Sequence, residues 1–342
     1  MKKGFLGIAV IVGLILAGFG AWFFRNPPPA DGGSPEAVSI GKMPIEAHTL
    51  IYIAEEQGFF ARNGLDVTIR NYSTGPAAVN GLIEGEVDIA GASEFVVVGH
   101  ALRKERIGII ASIDKYQIFY MVGRKDSGIA RILDLKGKRI GVGMGSAAEF
   151  FLGRFLNLHG ISLRDVTLID TLPSQYVNSV LNGSVDAVVF NRPYQEVMSR
   201  RLGDNGVFWP VQSCQQLYSV MVCRNDWIAR HPATIDKFLR SLAQAEAYLG
   251  NYPGNARALI QKKLQYSDKY LAAIWPEHQF SLTLAQSLVT TMEDEGRWMM
   301  ANRLTAEKEL PDYQHSIYAT GLERIKPESV NIIKPDGQAN IR

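Results

Sequence analysis

The sequence predicts an α/β protein of two similar lobes, each a sheet flanked by helices, joined by a two-stranded hinge. Three pairs of segments match in the same order: "DVTI" at 66–69 with "DVTL" at 165–168, Val-Asn at 79–80 and 177–178, and "LIEGEVDIA" at 82–90 with "VLNGSVDAV" at 180–188. Matches that stay in register along the chain indicate a duplicated structural unit. In each copy, short apolar runs alternate with helical patterns, which is typical of parallel sheets with crossover helices.

Each copy contains three predicted strands separated by two helices. In the first copy these segments are "AVSIG", "AHTLIYIAEEQGFFARNG", "LDVTIRNY", "GPAAVNGLIEG" and "VDIAGAS". In the second copy they are "KRIGVGM", "SAAEFFLGRFLNLHG", "VTLIDTL", "SQYVNSVLNG" and "VDAVVFN". In both copies the second helix stops at a glycine, because glycine reaches the left-handed backbone conformation without strain.

The chain is predicted to cross between the lobes twice. One extended segment joins the two copies, and another follows the second copy. We therefore expect a hinge near residues 112–116 and 218–221. Lobe 1 then comprises residues 38–114 and 219–335, with the C-terminal helices, and lobe 2 comprises residues 115–218. The helix expected from "HPATIDKFLRSLAQAEAYLG" has proline at its start and glycine at its end.

The N-terminus carries two lysines before an uncharged apolar run at residues 4–24, followed by Arg25. Residues 1–25 are therefore predicted to be a cleaved signal peptide or a retained transmembrane anchor, and residues 26–37 a linker. A poor small-residue cleavage pattern favours the anchor. Either alternative places the body in the periplasm or on the extracytoplasmic face of the cytoplasmic membrane, attached to that membrane if the helix is retained.

Charge and cysteine content exclude some classes and leave one question open. The 342 residues include 36 basic and 34 acidic side chains, a net charge of +2. Because no basic stripe is present, we expect no nucleic-acid partner. Cys214 and Cys223 could form a disulfide in an oxidising compartment or remain unpaired core residues.

The stretch "RIGVGMGSAAEFFLGRFL" at 139–156 is the clearest candidate motif. Ser146 stands where a dinucleotide fingerprint needs its last glycine, so no nucleotide cofactor is expected. The helix start at Ser146 could instead receive a polar ligand group, or the turn could simply require small residues. No histidine pair has metal-ligand spacing and no nucleophile elbow occurs, so we predict neither a metal site nor catalytic residues.

Candidate ligand-binding residues lie in loops that follow strands, because ligands of parallel sheets bind beyond the carboxyl ends of the strands. In lobe 1 they are Glu46, His48, Ser73, Thr74, Gly75, Ser93 and Glu94, and in lobe 2 Gly145, Ser146, Ala147, Gln175, Asn191, Arg192 and Tyr194. Arg192, His48 and the helix start at Ser146 favour an anionic ligand, whereas Glu46, Glu94 and Glu149 favour a cationic or amine-bearing one. Both together would suit a zwitterion or a heterocycle that carries an amine.

The segments "YIAEEQGFFARNGLDVTI", "LIEGEVDIAGAS", "LDLKGKRIGVGMGS", "VLNGSVDAVVFNRPY" and "PDYQHSIYATGLERIKPESVNII" span nearly all of residues 38–333. Through them the chain resembles the SsuA/THI5-like (NMT1) family of periplasmic substrate-binding proteins of ABC transporters. The resemblance implies a type II periplasmic-binding-protein-like clamp that closes on a small solute and presents it to permease and ATPase subunits. By position, it implies ligand roles above all for Glu46, Ser73, Ser93, Ser146 and Asn191.

The resemblance also implies a ligand class. Family members bind sulfonates, nitrate-like anions, or thiamine-related pyrimidines and other aromatic compounds. Many relatives have Trp before an acidic-Pro or x-Pro turn, where this chain has Phe190-Asn191-Arg192-Pro193. Relatives that synthesise a pyrimidine carry a cysteine-rich stretch that is absent here. We therefore predict a non-enzymatic solute-binding component of an ABC importer for a sulfonate, aminosulfonate or pyrimidine-like solute. The alternatives are a membrane-anchored sensory or accessory receptor, or an enzyme acting on the bound solute.

Overall fold

The computed structural model describes residues 34–212 and 215–333. The predicted anchor or signal peptide at residues 1–25 and Cys214 lie outside this part of the chain. Within it, no helix is both long enough and apolar enough to cross a membrane. Cys223 lies in the centre of a sheet and is fully buried, and burial raises the pKa of its thiol well above the usual value.

The first sheet combines strands from two distant parts of the chain. Its strands are β1 (Glu36–Lys42), β2 (Leu65–Asn71), β3 (Ile89–Ser93), β4 (Ile107–Tyr116) and β10 (Leu217–Arg224), in the order β2-β1-β3-β10-β4. The first three are parallel, and β10 is antiparallel to both β3 and β4. The last strand of the molecule therefore fills a gap inside a sheet begun more than a hundred residues earlier.

The second sheet is built from one continuous part of the chain. Its strands are β5 (Phe119–Arg124), β6 (Arg139–Val142), β7 (Thr167–Asp170), β8 (Ala187–Asn191) and β9 (Gly206–Pro210), in the order β7-β6-β8-β5-β9. Strands β6, β7 and β8 repeat the parallel arrangement of β1, β2 and β3. The predicted α/β fold of two lobes with helix-flanked sheets is confirmed.

Helices cover both sheets. They are α1 (Thr49–Glu56), α2 (Phe59–Arg62), α3 (Gly75–Ile83), α4 (Glu94–Leu102), α5 (Ala147–Leu158), α6 (Tyr176–Leu181), α7 (Gln195–Leu202), α8 (Asn225–Arg230), α9 (Pro232–Asn251), α10 (Pro253–Leu264), α11 (Asp268–Ile274), α12 (Gln286–Ala301) and α13 (Thr320–Ile325). The first long helix expected from the sequence is divided into α1 and α2, because Gly58 has a φ of 67° between them. Helix α9 packs on α1, and α12 packs on α4.

The repeated Val-Asp pair has the same structural role in both lobes. Asp88 accepts a hydrogen bond from the backbone N–H of Ser39 at 2.8 Å, and Asp186 accepts one from the N–H of Arg139 at 2.9 Å. Each aspartate thereby ties the start of the third strand to the first strand of its own sheet. The valines before them, Val87 and Val185, are buried in the two cores.

Two segments connect the sheets, one between β4 and β5 and one between β9 and β10. The buried side chain of Gln212 joins them, because its Oε1 accepts hydrogen bonds from the N–H groups of Ile118 (2.6 Å) and Phe119 (2.8 Å). Its Nε2 donates to the carbonyl oxygen of Tyr116 at 3.3 Å. One amide therefore holds both crossings at a fixed separation.

Candidate functional site

A groove of about 860 Å³ lies between the lobes. Helices α3 and α4 and the segment after α12 form one wall, which includes Pro76, Asn80, Phe95 and Leu304. The loop after β6 and the first turn of α5 form the other wall. The structure thus brings together residues that follow β2, β3 and β6, as expected for loops at the carboxyl ends of parallel strands.

In the glycine-containing loop after β6, few backbone N–H groups are free to donate a hydrogen bond to a ligand. The N–H of Met144 donates to Asp170 at 3.1 Å, and the N–H of Gly145 donates to Glu149 at 2.7 Å. Ser146 is the N-cap of α5, since its hydroxyl accepts a hydrogen bond from the N–H of Ala148. The loop resembles an anion cradle in shape, but carboxylates of the chain itself accept the hydrogen bonds of Met144 and Gly145.

Glu149 is 3% exposed and lines the groove. Burial raises the pKa of its carboxyl group, the hydrogen bond from Gly145 opposes this, and the nearby charge of Asp170 raises the pKa further. Like charges and burial both disfavour the ionised form, so a positive group placed in the groove would relieve the cost. From the sequence alone, Glu149 is only one of several acids that favour a cationic ligand.

In lobe 1, the small hydroxyl residues stand just before Pro76 and Phe95, which line the groove, but do not line it themselves. Thr74 is the N-cap of α3 and accepts a hydrogen bond from the N–H of Ala77 at 3.2 Å, while Ser73 precedes it. Gly75 is the first residue of α3, and a Cβ there would contact Ala92 at 3.5 Å. Ser93 ends β3 and is 8% exposed. Their roles in ligand binding remain predictions.

Glu94 is fully buried and is engaged inside lobe 1. Its two carboxylate oxygens accept hydrogen bonds from the N–H of Tyr218, each at 3.0 Å. Burial raises the pKa of Glu94 to about 8. The carboxyl group of Glu295 on α12 is also fully buried, and its pKa is raised well above the usual value by burial and by the charge of Glu94. Because both pKa values are raised, this pair of carboxyl groups is partly protonated at neutral pH. The pair therefore lacks the full negative charge that would attract a cation.

Glu46, Asp114 and His278 form a buried cluster of charged side chains within lobe 1. His278 Nδ1 lies 2.5 Å from Asp114 Oδ2, and His278 Nε2 lies 3.7 Å from Glu46 Oε1. Burial alone would lower the pKa of His278, but the charge and hydrogen bond of Asp114, together with Glu46, raise it to about 9. The imidazole ring is stacked between Tyr116 and Phe280. The cluster therefore holds a protonated histidine between two carboxylates.

Two tyrosines beside this cluster were not anticipated from the sequence. Tyr266 and Tyr270 donate hydrogen bonds to the carboxylate of Glu46 at 2.8 and 3.3 Å. Burial would raise the pKa of Glu46, but His278 outweighs it and the pKa is lowered. Tyr266 precedes α11 and Tyr270 lies in its first turn, so helical spacing does not relate the two residues. The sequence therefore carried no signal for this pair.

His48 and Lys42 lie under α1, away from the open groove. His48 is fully buried, its Nδ1 is 3.0 Å from the carbonyl oxygen of Met43, and a Cβ at Gly91 would collide with its ring. Burial and the charge of Lys42 lower the pKa of His48 to about 3, so its imidazole is neutral and brings no positive charge to an anion. The Lys42 ammonium lies 3.8 Å from the centroid of the Tyr52 ring, and burial lowers its pKa to about 8.

Arg192 connects the two lobes. Its guanidinium donates to the carbonyl oxygen of Ala273 at 2.9 Å and to the hydroxyl of Tyr120 at 2.7 Å, and it lies 3.6 Å from Glu277. Ala273 and Glu277 belong to the C-terminal part of lobe 1, whereas Arg192 follows β8 in lobe 2. With several donors engaged, Arg192 acts here as a contact between lobes, next to the half-buried Asn191.

The remaining predicted residues lie within lobe 2. Gln175 accepts a hydrogen bond from the N–H of Leu172 and lines a separate depression of about 320 Å³. Tyr194 packs edge-on against Tyr176, with ring centroids 5.3 Å apart. Ala147 is buried at the start of α5. The structure does not bring Gln175 to the groove between the lobes.

Curated relatives are similar in sequence to this chain over more than half of its length. Binding proteins of Brucella abortus are 28% identical over 224 residues, which cover 62% of this chain and 66% of theirs, slightly less than two thirds. A Bacillus subtilis protein named for binding aliphatic sulfonates is 28% identical over 72% of this chain and 73% of its own. A Schizosaccharomyces pombe relative, 26% identical over 58% of this chain and 60% of its own, is named 4-amino-5-hydroxymethyl-2-methylpyrimidine phosphate synthase.

Among solved structures, the alkanesulfonate-binding protein SsuA from Xanthomonas axonopodis pv. citri bound to MOPS has the same fold. Its TM-score is 0.70 at 17% identity, and the superposition covers 84% of this chain and 100% of the SsuA chain. The family model described as "NMT1/THI5 like" matches residues 45–256, which is more than half of the chain. This match includes both halves of the internal repeat, and on its strength the chain belongs to the NMT1/THI5-like family.

Proposed function

We propose that the chain is the extracytoplasmic solute-binding component of an ABC importer. The observation that carries the proposal is the groove between two sheets that are joined by only two crossings. Two lobes connected in this way can close about a ligand, because contacts from both lobes stabilise the shut state relative to the open one. The names of the Bacillus and Xanthomonas proteins support a binding role and a sulfonate-related ligand.

The ligand class in this proposal is a small polar organic solute, either a sulfonate, an aminosulfonate or a pyrimidine-like compound. Ser73, Thr74 and Ser93 of lobe 1 would hydrogen-bond to it from one side, and Ser146 and Asn191 of lobe 2 from the other. Lobe boundaries at residues 38–114 with 219–335, and at 115–218, belong to the same proposal. So do the permease and ATPase partners and an attachment to the inner membrane through the N-terminal segment.

A thermal-shift screen of the full-length chain tests solute binding. The panel comprises sulfonates, aminosulfonates, nitrate, pyrimidines and aromatic acids, and a ligand at one hundred times its Kd adds about 2.7 kcal/mol of stability. Asn191→Ala should weaken the response to a hit. The matched control is Asn182→Ala, since Asn182 follows α6 in the same lobe and accepts a hydrogen bond from Ser184 there. No saturable stabilisation by any compound, or equal loss in both variants, would contradict the proposal.

The same hit separates an importer from the other functions. Cells that lack the gene should lose uptake of the radiolabelled compound if the chain serves a transporter. If those cells still take up a compound that the purified chain binds, a sensory or accessory receptor would be favoured. The names of most relatives favour a binding protein, but the synthase relative makes a check for chemical conversion necessary. Consumption of the hit by the purified chain would favour an enzyme.

A further inference from the structure

We propose that the groove between the lobes binds an organic cation, with an ammonium or amidinium nitrogen on Glu149 and an apolar body against Met144 and Leu304. The inference rests on the proposed solute-binding function and narrows its ligand class. It departs from the anionic ligands that the glycine-containing loop suggested in the sequence. Three features of the groove carry it.

The first feature is that the loop after β6 already has negative groups where an anion would bind. Asp170 accepts the hydrogen bond of the Met144 N–H, and Glu149 accepts that of the Gly145 N–H. An anion placed at this loop would face two carboxylates at close range and would gain neither donor. Like charges in a partly buried site repel strongly, because little solvent screens them. The loop therefore disfavours a sulfonate at this position.

The second feature is that Glu149 has no positive partner. The other acids of the groove are paired: Glu105 lies 2.9 Å from Arg103 and 2.6 Å from His100, and Glu307 lies 3.0 Å from Lys104. Glu149 makes no ion pair with the described residues, and Gly145 occupies only its Oε2. A carboxylate that is 97% removed from solvent and lacks a cation gains most from a positively charged ligand.

The third feature is the apolar surface on both sides of this carboxylate. Met144 of lobe 2 is 47% exposed and Leu304 of lobe 1 is 44% exposed, although both are large apolar side chains. Phe95 and Met299 also line the groove, but both are almost completely buried. Methionine side chains adapt to ligands of different shape, and about 860 Å³ is ample for a small organic molecule. Among the described residues, the groove thus offers one unpaired carboxylate together with exposed apolar side chains, while its other acids, Glu105 and Glu307, already have positive partners.

Isothermal titration calorimetry of the full-length chain with three compounds of similar shape tests the charge preference. Benzamidine carries an amidinium, benzamide is its neutral counterpart, and benzenesulfonate carries a negative charge on the same ring. We expect benzamidine to bind at least tenfold more tightly than benzamide, and benzenesulfonate to bind more weakly than either. Equal or tighter binding of benzenesulfonate in the groove would overturn the inference.

A variant pair assigns the preference to Glu149. Glu149→Gln keeps an oxygen that can accept the Gly145 hydrogen bond, and it should lower benzamidine affinity at least tenfold while changing benzamide affinity less than twofold. The control, Asp165→Asn, removes a charge from lobe 2 at a residue that accepts a local hydrogen bond from Ser162. It should leave both affinities unchanged.

The outcomes distinguish this inference from the proposed function. If sulfonates stabilise the chain in the thermal-shift screen and benzamidine does not bind, only the cation inference fails. If Glu149→Gln leaves benzamidine affinity unchanged, the inference also fails, wherever benzamidine binds. If no compound of either charge binds, both proposals fail. Tight benzamidine binding that depends on Glu149 supports both.

Discussion

Gly153 on α5 is a position where lobe 2 closely approaches lobe 1, at the side chain of Trp298. A Cβ at Gly153 would come within 2.9 Å of Trp298 Cε2 and 3.2 Å of Nε1, and closer still to Cζ2. In Gly153→Ala the helices must therefore separate locally, which also loosens the packing of Phe150 on Phe95, whose centroids are 5.6 Å apart. Overpacking of this kind costs about 1–3 kcal/mol. The cost falls on the arrangement of the lobes seen here, in which α5 is packed against Trp298 of α12.

The substitution should shift the lobes toward an open state without weakening either lobe. An energy of about 1–3 kcal/mol changes the open-to-closed ratio by roughly 5- to 150-fold, and it raises the Kd of a ligand of the closed state by up to that factor. Alanine also favours a helix over glycine by about 1 kcal/mol, so lobe 2 itself gains stability. Small-angle X-ray scattering should show a larger radius of gyration, and urea unfolding should show no loss of stability.

Two further variants make this test decisive. Gly250→Ala is the control, because it places the same methyl group in α9 where no atom lies within 4 Å of the new Cβ. Trp298→Phe combined with Gly153→Ala should restore the compact form, since it removes Cζ2 of Trp298, the atom nearest to the new methyl group. A lower stability of Gly153→Ala at unchanged radius of gyration and ligand affinity would refute the reasoning.

The remaining predictions concern stability. His278→Gln should lower the free energy of unfolding by about 3–5 kcal/mol, measured with urea, because it leaves Glu46 and Asp114 as buried carboxylates without a cation; a loss below 1 kcal/mol would show that the cluster is uncharged. For pH, the folded pKa of His278 is about 9 against about 6.5 unfolded, so its stabilisation is complete below pH 6.5 and disappears by pH 9. The pKa of Glu94 is raised from 4.5 to about 8, so it acts with the same sign between pH 4.5 and 8. Stability should therefore fall from pH 6.5 to 8 in urea titrations, and a rise would contradict both assignments. Thr74→Ala should cost about 1 kcal/mol, since it removes the N-cap of α3, whereas Thr305→Ala, outside any helix, should cost less.

The fold was predictable because its determinants are local and occur twice. The Val-Asp pairs recur because Asp88 and Asp186 make the same hydrogen bond in each sheet, and Gly85 and Gly183 both adopt a left-handed backbone after their helices. Such features depend on neighbours in one repeat unit and are visible in its sequence. The break at Gly58 was missed, since a glycine inside a helical pattern does not by itself end the helix.

The site was less predictable because its contacts join distant parts of the chain. Glu46 was identified from its place after β1, but its partners Tyr266 and Tyr270 lie more than two hundred residues away, outside the repeat. The hydrogen bond from Gly145 to Glu149 could partly be anticipated, since Glu149 is four residues from Gly145 and in the first turn of α5. The contribution of Asp170 required the pairing of β6 with β7.

The central position of β10 has a consequence for the order in which the molecule assembles. Residues 119–210 contain every strand of the second sheet, so a growing chain can complete lobe 2 while the first sheet still lacks the strand between β3 and β4. Until residues 217–224 emerge, the edges of β3 and β4 that pair with β10 stay without those hydrogen-bond partners, and such edges can pair with other chains. Lobe 1 must therefore wait for lobe 2, and the unfinished sheet is the point at which a chaperone would be needed most.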